Sequence, residues 1–371
     1  MVAKTSRSTS LRQRTKKQAA DKKPARATTL VSKPARAAAK KITGRPAKKA
    51  AKKQPKKSAK KQPKKQAKKA SSSSKSSAPV LGRETVVLRT ASEVQARMMR
   101  ARSDGLTIGL VPTMGALHSG HAALIDEARR RADVVVVSVF VNPKQFGQNE
   151  DLSKYPRPLE ADVALCARCG VDVVFAPGVD EVYPPGFDTT VAAGKAAADL
   201  EGAGRPGHFD GVLTVVALLF SIVQPHFSVF GEKDFQQLLL VRRLAKDLRL
   251  TTEIVAMPVI RDVDGLALSS RNVFLSAEDR QRAVCLSRGL VAAQDAVQRG
   301  ELDARDIAAA ARAVVDATPG AEVAYVEVRD ARTLAKIERV EREARLLVAV
   351  KLGGVRLIDN GPLFHHVRWT A

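Results

Sequence analysis

The sequence predicts an α/β fold: a doubly wound parallel sheet, a second, smaller α/β unit after it, and a disordered basic tail before it. Three observations carry this. From Glu84 onward, short apolar runs alternate with amphipathic stretches of helical period, the pattern of a parallel sheet with crossover helices. Asp133 to Val141 is almost continuously apolar, as a strand buried on both faces must be. Before residue 84 there is no aromatic side chain and little large aliphatic surface, so that segment cannot offset the entropy of ordering.

In chain order, Val86 to Arg89 reads as a short strand and Ala91 to Ala101 as a helix. The strand Leu106–Val111 runs through a Gly/His-rich loop into the helix Ala122–Arg131, and Asp133–Val141 is the next strand. Leu159–Cys169 reads as helix and Val171–Ala176 as strand. A Gly/Pro loop around Tyr183–Gly186 follows, then a strongly apolar helix, Asp210–Val223. Phe227–Phe230, Phe235–Leu248 and Glu253–Val259 continue as strand, helix and strand. Past Ile260 the character changes: Arg261–Gly265 is a hairpin-type turn, placed to close over a ligand. Helices Ala277–Arg299 and Asp303–Asp316 then precede strands Val323–Val328 and Leu346–Val350. The expected domains are therefore 1–83, 84–259 and 260–371.

Charge divides the chain at the same place. Met1 to Val80 holds 27 Lys and Arg against one acidic residue, Asp21, whereas the rest holds 36 basic and 37 acidic residues. The net +25 thus lies in the tail, and the remainder has no electrostatic reason to bind nucleic acid. The tail repeats Ala51–Ser58 as Ala59–Gln66 and ends in the polar linker Ser71–Ser77. Its composition resembles the Lys/Ala/Pro-rich arms of linker histones and bacterial histone-like proteins. Binding of nucleic acid or another polyanion, a solvated spacer, and an upstream extension from a misplaced start codon all remain open. Three cysteines are too few for a disulfide framework and fit a reducing, cytoplasmic setting. Cys166-Ala-Arg-Cys169 has redox or zinc spacing, but no second ligand pair follows, so core packing is the expectation. No apolar stretch has membrane-spanning length, and no signal-peptide core opens the chain.

Four segments at predicted strand ends carry polar chemistry. In Pro112-Thr-Met-Gly-Ala-Leu-His-Ser-Gly-His121, two imidazoles sit where a helix begins, so free backbone N–H groups and the helix dipole can face a phosphate. Two ordinary surface histidines would give the same short motif. Asn142-Pro-Lys-Gln-Phe146 presents Gln145, donor and acceptor together, to a neutral polar group. Gly231-Glu-Lys-Asp234 offers a point charge at Lys233 behind a small residue, with Gln236 and Gln237 on the next helical turn. Leu268-Ser-Ser-Arg271 offers two hydroxyls and a guanidinium able to wrap a polyphosphate.

Taken in order, these segments resemble the adenylate-forming nucleotidyltransferases with a Rossmann-like domain and an H-x-G-H motif. Within them the series Pro112–His121, Asn142–Phe146, Tyr155–Arg157, His208–Val212, Phe230–Gln237 and Ser269–Asn272 is similar to the pantoate–β-alanine ligases (pantothenate synthetases). The resemblance spans about residues 84–371 and none of the tail. It implies ATP binding by Met114, Gly115, Ala116, Leu117, His118, Ser119, Gly120 and His121, with His121 as proton donor and His118 at the phosphates. It extends the ATP site to Gly231, Glu232, Lys233, Asp234, Ile260, Leu268, Ser269, Ser270 and Arg271. Gln145 and Gln237 would hold pantoate, with Gln145 also near β-alanine. Leu268 stands where the family commonly has Met, and Phe235 where Tyr is usual.

The implied reaction has two steps. Pantoate attacks the α-phosphorus of ATP and releases pyrophosphate; the amine of β-alanine then displaces AMP to form the amide of pantothenate. His118, His121, Lys233 and Arg271, with Mg²⁺, would stabilise the growing charge on phosphate. The sequence singles out no protein ligand for the metal. A homodimer is implied by the resemblance alone. Two rivals are AMP transfer to a phosphate ester, which would call for basic groups in place of Gln145 and Gln237, and a nucleic-acid-associated protein in which the tail acts.

Overall fold

A computed structural model describes residues 84–147 and 152–363. The expected disorder of 1–83 and the last residues of the expected third domain lie outside the described residues.

Six parallel strands form the first sheet: β1 (Val86–Leu88), β2 (Ile108–Thr113), β3 (Val134–Val139), β4 (Val173–Phe175), β5 (Phe227–Gly231) and β6 (Glu253–Met257). Their order is β1-β4-β3-β2-β5-β6. The chain leaves β2 toward β3 and β4, then crosses back to β5 on the other side of β2. The crevice at the carboxyl ends of β2 and β5 is therefore the switch point where such sheets bind ligands. Ile108, Leu110 and Val111 of β2 and Val135, Val136 and Val137 of β3 are fully buried, so both faces of these strands are covered.

The covering helices are α1 (Ala91–Ser103), α2 (Ser119–Arg131), α3 (Leu159–Arg168), the short α4 (Val179–Val182) and α5 (Glu201–Gly204), α6 (His208–Val223) and α7 (Phe235–Asp247). Helix α1 starts at a capping box in which Thr90 Oγ1 accepts from Glu93 N–H and Glu93 accepts from Thr90 N–H. Helix α6 is nearly all buried, as its apolar sequence requires.

The second sheet is antiparallel, β7 (Glu322–Asp330), β8 (Ala344–Leu352) and β9 (Val355–Pro362); the short α8 (Ala277–Arg282) precedes α9 (Cys285–Gln298) and α10 (Ala304–Asp316), which share one core with the sheet. Two details depart from the expected elements. The helix expected over 277–299 is broken, because Leu286 N–H bonds to Ala283 O three residues back instead of continuing the i−4 ladder. Strand β9 was not expected; it follows the turn Gly353-Gly354, whose φ angles of 56° and 79° suit a tight hairpin.

Cys166 lies fully buried in the core between α3 and the sheet, its thiol pushed up to about 12 by burial first and then by the Asp162 charge. Packing is thus its role in this fold. No helix among the described residues is long and apolar enough to cross a membrane.

Candidate active site

The loop after β2 is shaped from beneath. Gly115 and Ala116 both have positive φ, 81° and 52°, and the reversal aims two successive N–H groups at one carboxylate. Asp162 on α3 accepts from Ala116 N–H at 3.0 Å and Leu117 N–H at 2.7 Å. A Cβ on Gly115 would sit 2.9 Å from Asp162 Oδ2 and 3.0 Å from Val139 Cγ1, so both backbone angle and space call for glycine there.

His118 then serves as N-cap of α2 and His121 as its N3 residue. Gly120 N–H donates to His118 Nδ1 at 3.1 Å, and His118 N–H donates to His121 Nδ1 at 3.3 Å. This is a capping box made of two imidazoles, whose rings lie 4.1 Å apart. Because each Nδ1 accepts a backbone hydrogen, the proton of each neutral ring is on Nε2. Burial above all holds His118 down to about 4, with the Lys233 charge adding to it. Burial, then His118, holds His121 down to about 3. The pair is therefore neutral at physiological pH and offers two Nε2–H donors.

At the end of β3 the amide of Gln145 is locked by its neighbours. Asn142 Nδ2 donates to Gln145 Oε1 at 3.0 Å and to Gly211 O at 3.1 Å, while Tyr183 O–H donates to Asn142 Oδ1 at 2.8 Å. Gln145 Nε2 donates to Met114 Sδ at 3.0 Å, which leaves its second amide hydrogen for a ligand. The backbone is held too. Arg205 only donates, so His208 Nε2 accepts its Nη1–H at 2.9 Å, and His208 Nδ1–H donates to Gln145 O at 2.7 Å.

Beyond β5, Lys233 Nζ stands 3.6 Å from Asp234 Oδ1. Burial works to raise the Asp234 carboxyl, but Lys233 and Arg271 outweigh it and hold the group below the usual carboxylate range. Across the crevice, Leu268 N–H bonds to Ile260 O at 2.9 Å, and Ser269 Oγ accepts from Arg271 N–H at 3.2 Å, fixing the start of the Ser-Ser-Arg turn. Leu268 reaches the histidine loop: a Cβ on Gly120 would lie 3.5 Å from Leu268 Cβ.

These loops enclose a cavity of about 230 Å³. Met114, His118, Gly120 and His121 line it from β2, Gln145 from β3, and Gly231, Lys233, Asp234 and Gln237 from β5 and α7. Ile260, Leu268, Ser269, Ser270 and Arg271 complete the wall. A wider cavity of about 550 Å³ opens beside it toward the second sheet and shares Arg205, His208, Lys233 and Arg271 with it. The remaining residues singled out in the sequence stand back from the wall. Gly115, Ala116 and Leu117 shape the loop, Ser119 opens α2, and Glu232 turns away to Arg345. Among the described residues, no group of three or more His, Cys, Asp and Glu is placed to hold a metal ion.

Sequence reasoning missed Asp162, Asn142 as the clamp on Gln145, Arg205, Tyr183 and Asn360, whose Nδ2 donates to the carbonyls of Glu232 and Lys233. Asp162 carried a faint signal, a carboxylate with apolar residues on both sides, Ala161 before it and Val163 to the buried Cys166 after it.

The model of the family described as pantoate-beta-alanine ligase matches residues 86–362. A pantothenate synthetase of Trichlorobacter lovleyi is 49% identical over 274 residues, covering 74% of this chain and 97% of its own length. One from Nocardioides is 52% identical over 305 residues, covering 80% of this chain and 89% of its own. Among solved structures, a pantothenate synthetase from Thermus thermophilus superposes with a TM-score of 0.73 at 46% identity, over 76% of this chain and all of its own. A pantoate-beta-alanine ligase from Francisella tularensis, described as complexed with beta-gamma ATP and beta-alanine, superposes with a TM-score of 0.61 at 34% identity, over 75% of this chain and 97% of its own.

Proposed function

We propose, from the premise that this chain belongs to the pantoate–β-alanine ligase family, the following division of labour among its residues. The reaction is the ATP-dependent condensation of pantoate with β-alanine to pantothenate, through a pantoyl adenylate, and the enzyme is a ligase forming a C–N bond. The polyphosphate lies between the N-terminus of α2 and the Ser269–Arg271 turn. There the Nε2–H groups of His118 and His121, together with Lys233 and Arg271, meet the charge that develops as pantoate attacks the α-phosphorus. The histidines act as neutral hydrogen-bond donors. The observation that carries this is the reciprocal capping of the two imidazoles, which fixes both Nδ1 atoms on the backbone.

Gln145 and Gln237 take pantoate. The amide of Gln145 has one hydrogen left after Met114, suited to the pantoate carboxylate or hydroxyl, and the same residue stands near the incoming β-alanine. Catalysis is then largely positioning of two reactants, and no side-chain nucleophile is required. Mg²⁺ held on the nucleotide phosphates would neutralise part of their charge, and such an ion commonly takes one or two carboxylates in support. Asp234, kept ionised by Lys233 and Arg271, is the carboxylate suited to that support.

Substitution tests the assignment. His121→Ala and Lys233→Ala are each expected to cost at least ~10²-fold in turnover, the scale of losing one transition-state donor. Pantoate-dependent pyrophosphate release at the wild-type rate in either variant refutes it.

Three further readings belong to the same proposal. Residues 84–259 and 260–371 act as two domains, the second closing the site. The enzyme works in the cytoplasm as a homodimer, which sedimentation of the full chain tests. The basic tail binds polyanions such as nucleic acid by counterion release. For that, DNA affinity of the full chain is compared with that of a chain starting at Glu84 across a salt series. Equal affinities remove the tail's role.

A further inference from the structure

Lys233 is held from the far side of the molecule. Asn360 lies on β9 in the second sheet, 127 residues on in sequence, and only 3% of its surface is exposed. Its Nδ2 donates to Glu232 O at 3.0 Å and to Lys233 O at 2.8 Å, so both amide hydrogens are committed to the backbone that carries Lys233. The price is visible in the same side chain: Asn360 Oδ1 is buried with no partner among the described residues. A buried orphan acceptor calls for an explanation, and the two carbonyls supply it, since turning the amide over would set oxygen against oxygen.

The neighbouring residue continues the connection. Asp359, also buried, takes Arg261 Nη1 at 2.7 Å and Nη2 at 2.9 Å, and its Oδ1 accepts from Asn360 N–H at 2.7 Å. Arg261 in turn donates to Gly265 O at 3.0 Å, within the turn that leads to Leu268–Arg271. The two sides of the phosphate grip, Lys233 and the Ser-Ser-Arg turn, are thus tied to adjacent residues of one strand.

We propose that Asn360 is a positioning residue for Lys233, and that the Asn360–Asp359–Arg261 connection sets the span of the nucleotide phosphate grip from the second sheet. The proposal rests on the assignment of Lys233 to the phosphates. Asn360 acts through the backbone of Lys233, to which its amide is bonded. Its removal should therefore harm ATP use and spare pantoate binding, which depends on Gln145 and Gln237.

Steady-state pyrophosphate release by the full chain, with β-alanine saturating and ATP or pantoate varied in turn, tests it. Asn360→Asp replaces the donor by a carboxylate facing two carbonyls. It is expected to lower kcat/KM for ATP at least tenfold while KM for pantoate stays within twofold. In a Lys233→Ala background the same substitution is expected to change kcat/KM for ATP less than threefold, because residues acting through one another are not additive. Asn360→Ala, which removes the donor without adding charge, is read in the same cycle if Asn360→Asp fails to fold. An equal loss in both backgrounds, or a matching rise in KM for pantoate, overturns the proposal. A Lys233→Ala enzyme as active as wild type overturns the assignment beneath it instead, so the two failures are distinguishable.

Discussion

Lowering the pH from 7.5 to 5.5 separates neutral histidine donors from charged ones. An ordinary imidazole, with a pKa near 6.5, is about nine-tenths protonated at pH 5.5. With His118 at about 4 and His121 at about 3, only about 3% of the first and well under 1% of the second carry a proton there. The adenylation rate is therefore expected to show no acid limb near 6.5 traceable to these rings. Stability behaves differently. Both pKa values are depressed by folding, so the unfolded chain binds more protons below pH 6.5, and stability falls as pH drops from there toward the folded values. At pH 5.5 this amounts to about 1 kcal/mol for His121, and less for the more exposed His118 after allowance for solvent screening. Nitrogen-15 NMR of imidazole-labelled protein reads the tautomer and titration of each ring, and urea melts at the two pH values read the stability. A ring that titrates near 6.5, or carries its proton on Nδ1, refutes the capping-box argument.

Two other substitutions probe how the loops are held. Asp162→Asn turns one of two carboxylate acceptors into an NH₂ facing a backbone N–H; a charge-assisted bond of this type contributes roughly 1.5–3 kcal/mol. The melting temperature should drop and adenylation should slow more than tenfold, and a variant that loses stability with full activity shows that the loop does not need this anchor. Gly211→Ala places a methyl 2.2 Å from Lys144 O and 2.7 Å from Gln145 N. Helix α6 must then shift, at about 1–3 kcal/mol for overpacking, and KM for pantoate should rise several-fold while KM for ATP holds. An unchanged KM for pantoate would mean that Gln145 is not positioned through this contact.

What the sequence disclosed follows from how each feature is encoded. The histidine loop was legible because its chemistry is contiguous: strand, glycine turn and helix start lie within ten residues, and phosphate binding needs that order. Even there, the reading of the helix from Ala122 missed that His118 itself is the cap, because histidine is not among the usual capping residues. Asp162, Asn142 and Asn360 escaped for a different reason. Each matters through a partner that is distant in sequence or is plain backbone, 45 residues away for Asp162 and Leu117 and 127 for Asn360 and Lys233. A single sequence shows residue types but not such pairings. Strand β9 is an intermediate case. The Gly353-Gly354 hairpin signal was present, but Gly361-Pro362 inside the strand reads as a loop, and Pro is tolerated there because β9 is an edge strand.

The electrostatics of the site explain why its histidines are neutral although the chain as a whole is so basic. Lys233 and Arg271 already bring two positive charges to a partly buried crevice, and Asp234 offsets one of them. Protonating His118 and His121 would add two more charges beside Lys233, in a place where burial already disfavours them. Directional Nε2–H donors stabilise charge on phosphate oxygens without that cost, and they do not strengthen the hold on pyrophosphate after the first step as fixed cations would. The transition state depends on a few groups fixed by backbone hydrogen bonds, His118 and His121 above all, and not on the net charge of the chain. KM for ATP should accordingly be the same, at physiological salt, for the full chain and for one starting at Glu84. A several-fold difference between them would show that the basic segment takes part in capturing the nucleotide.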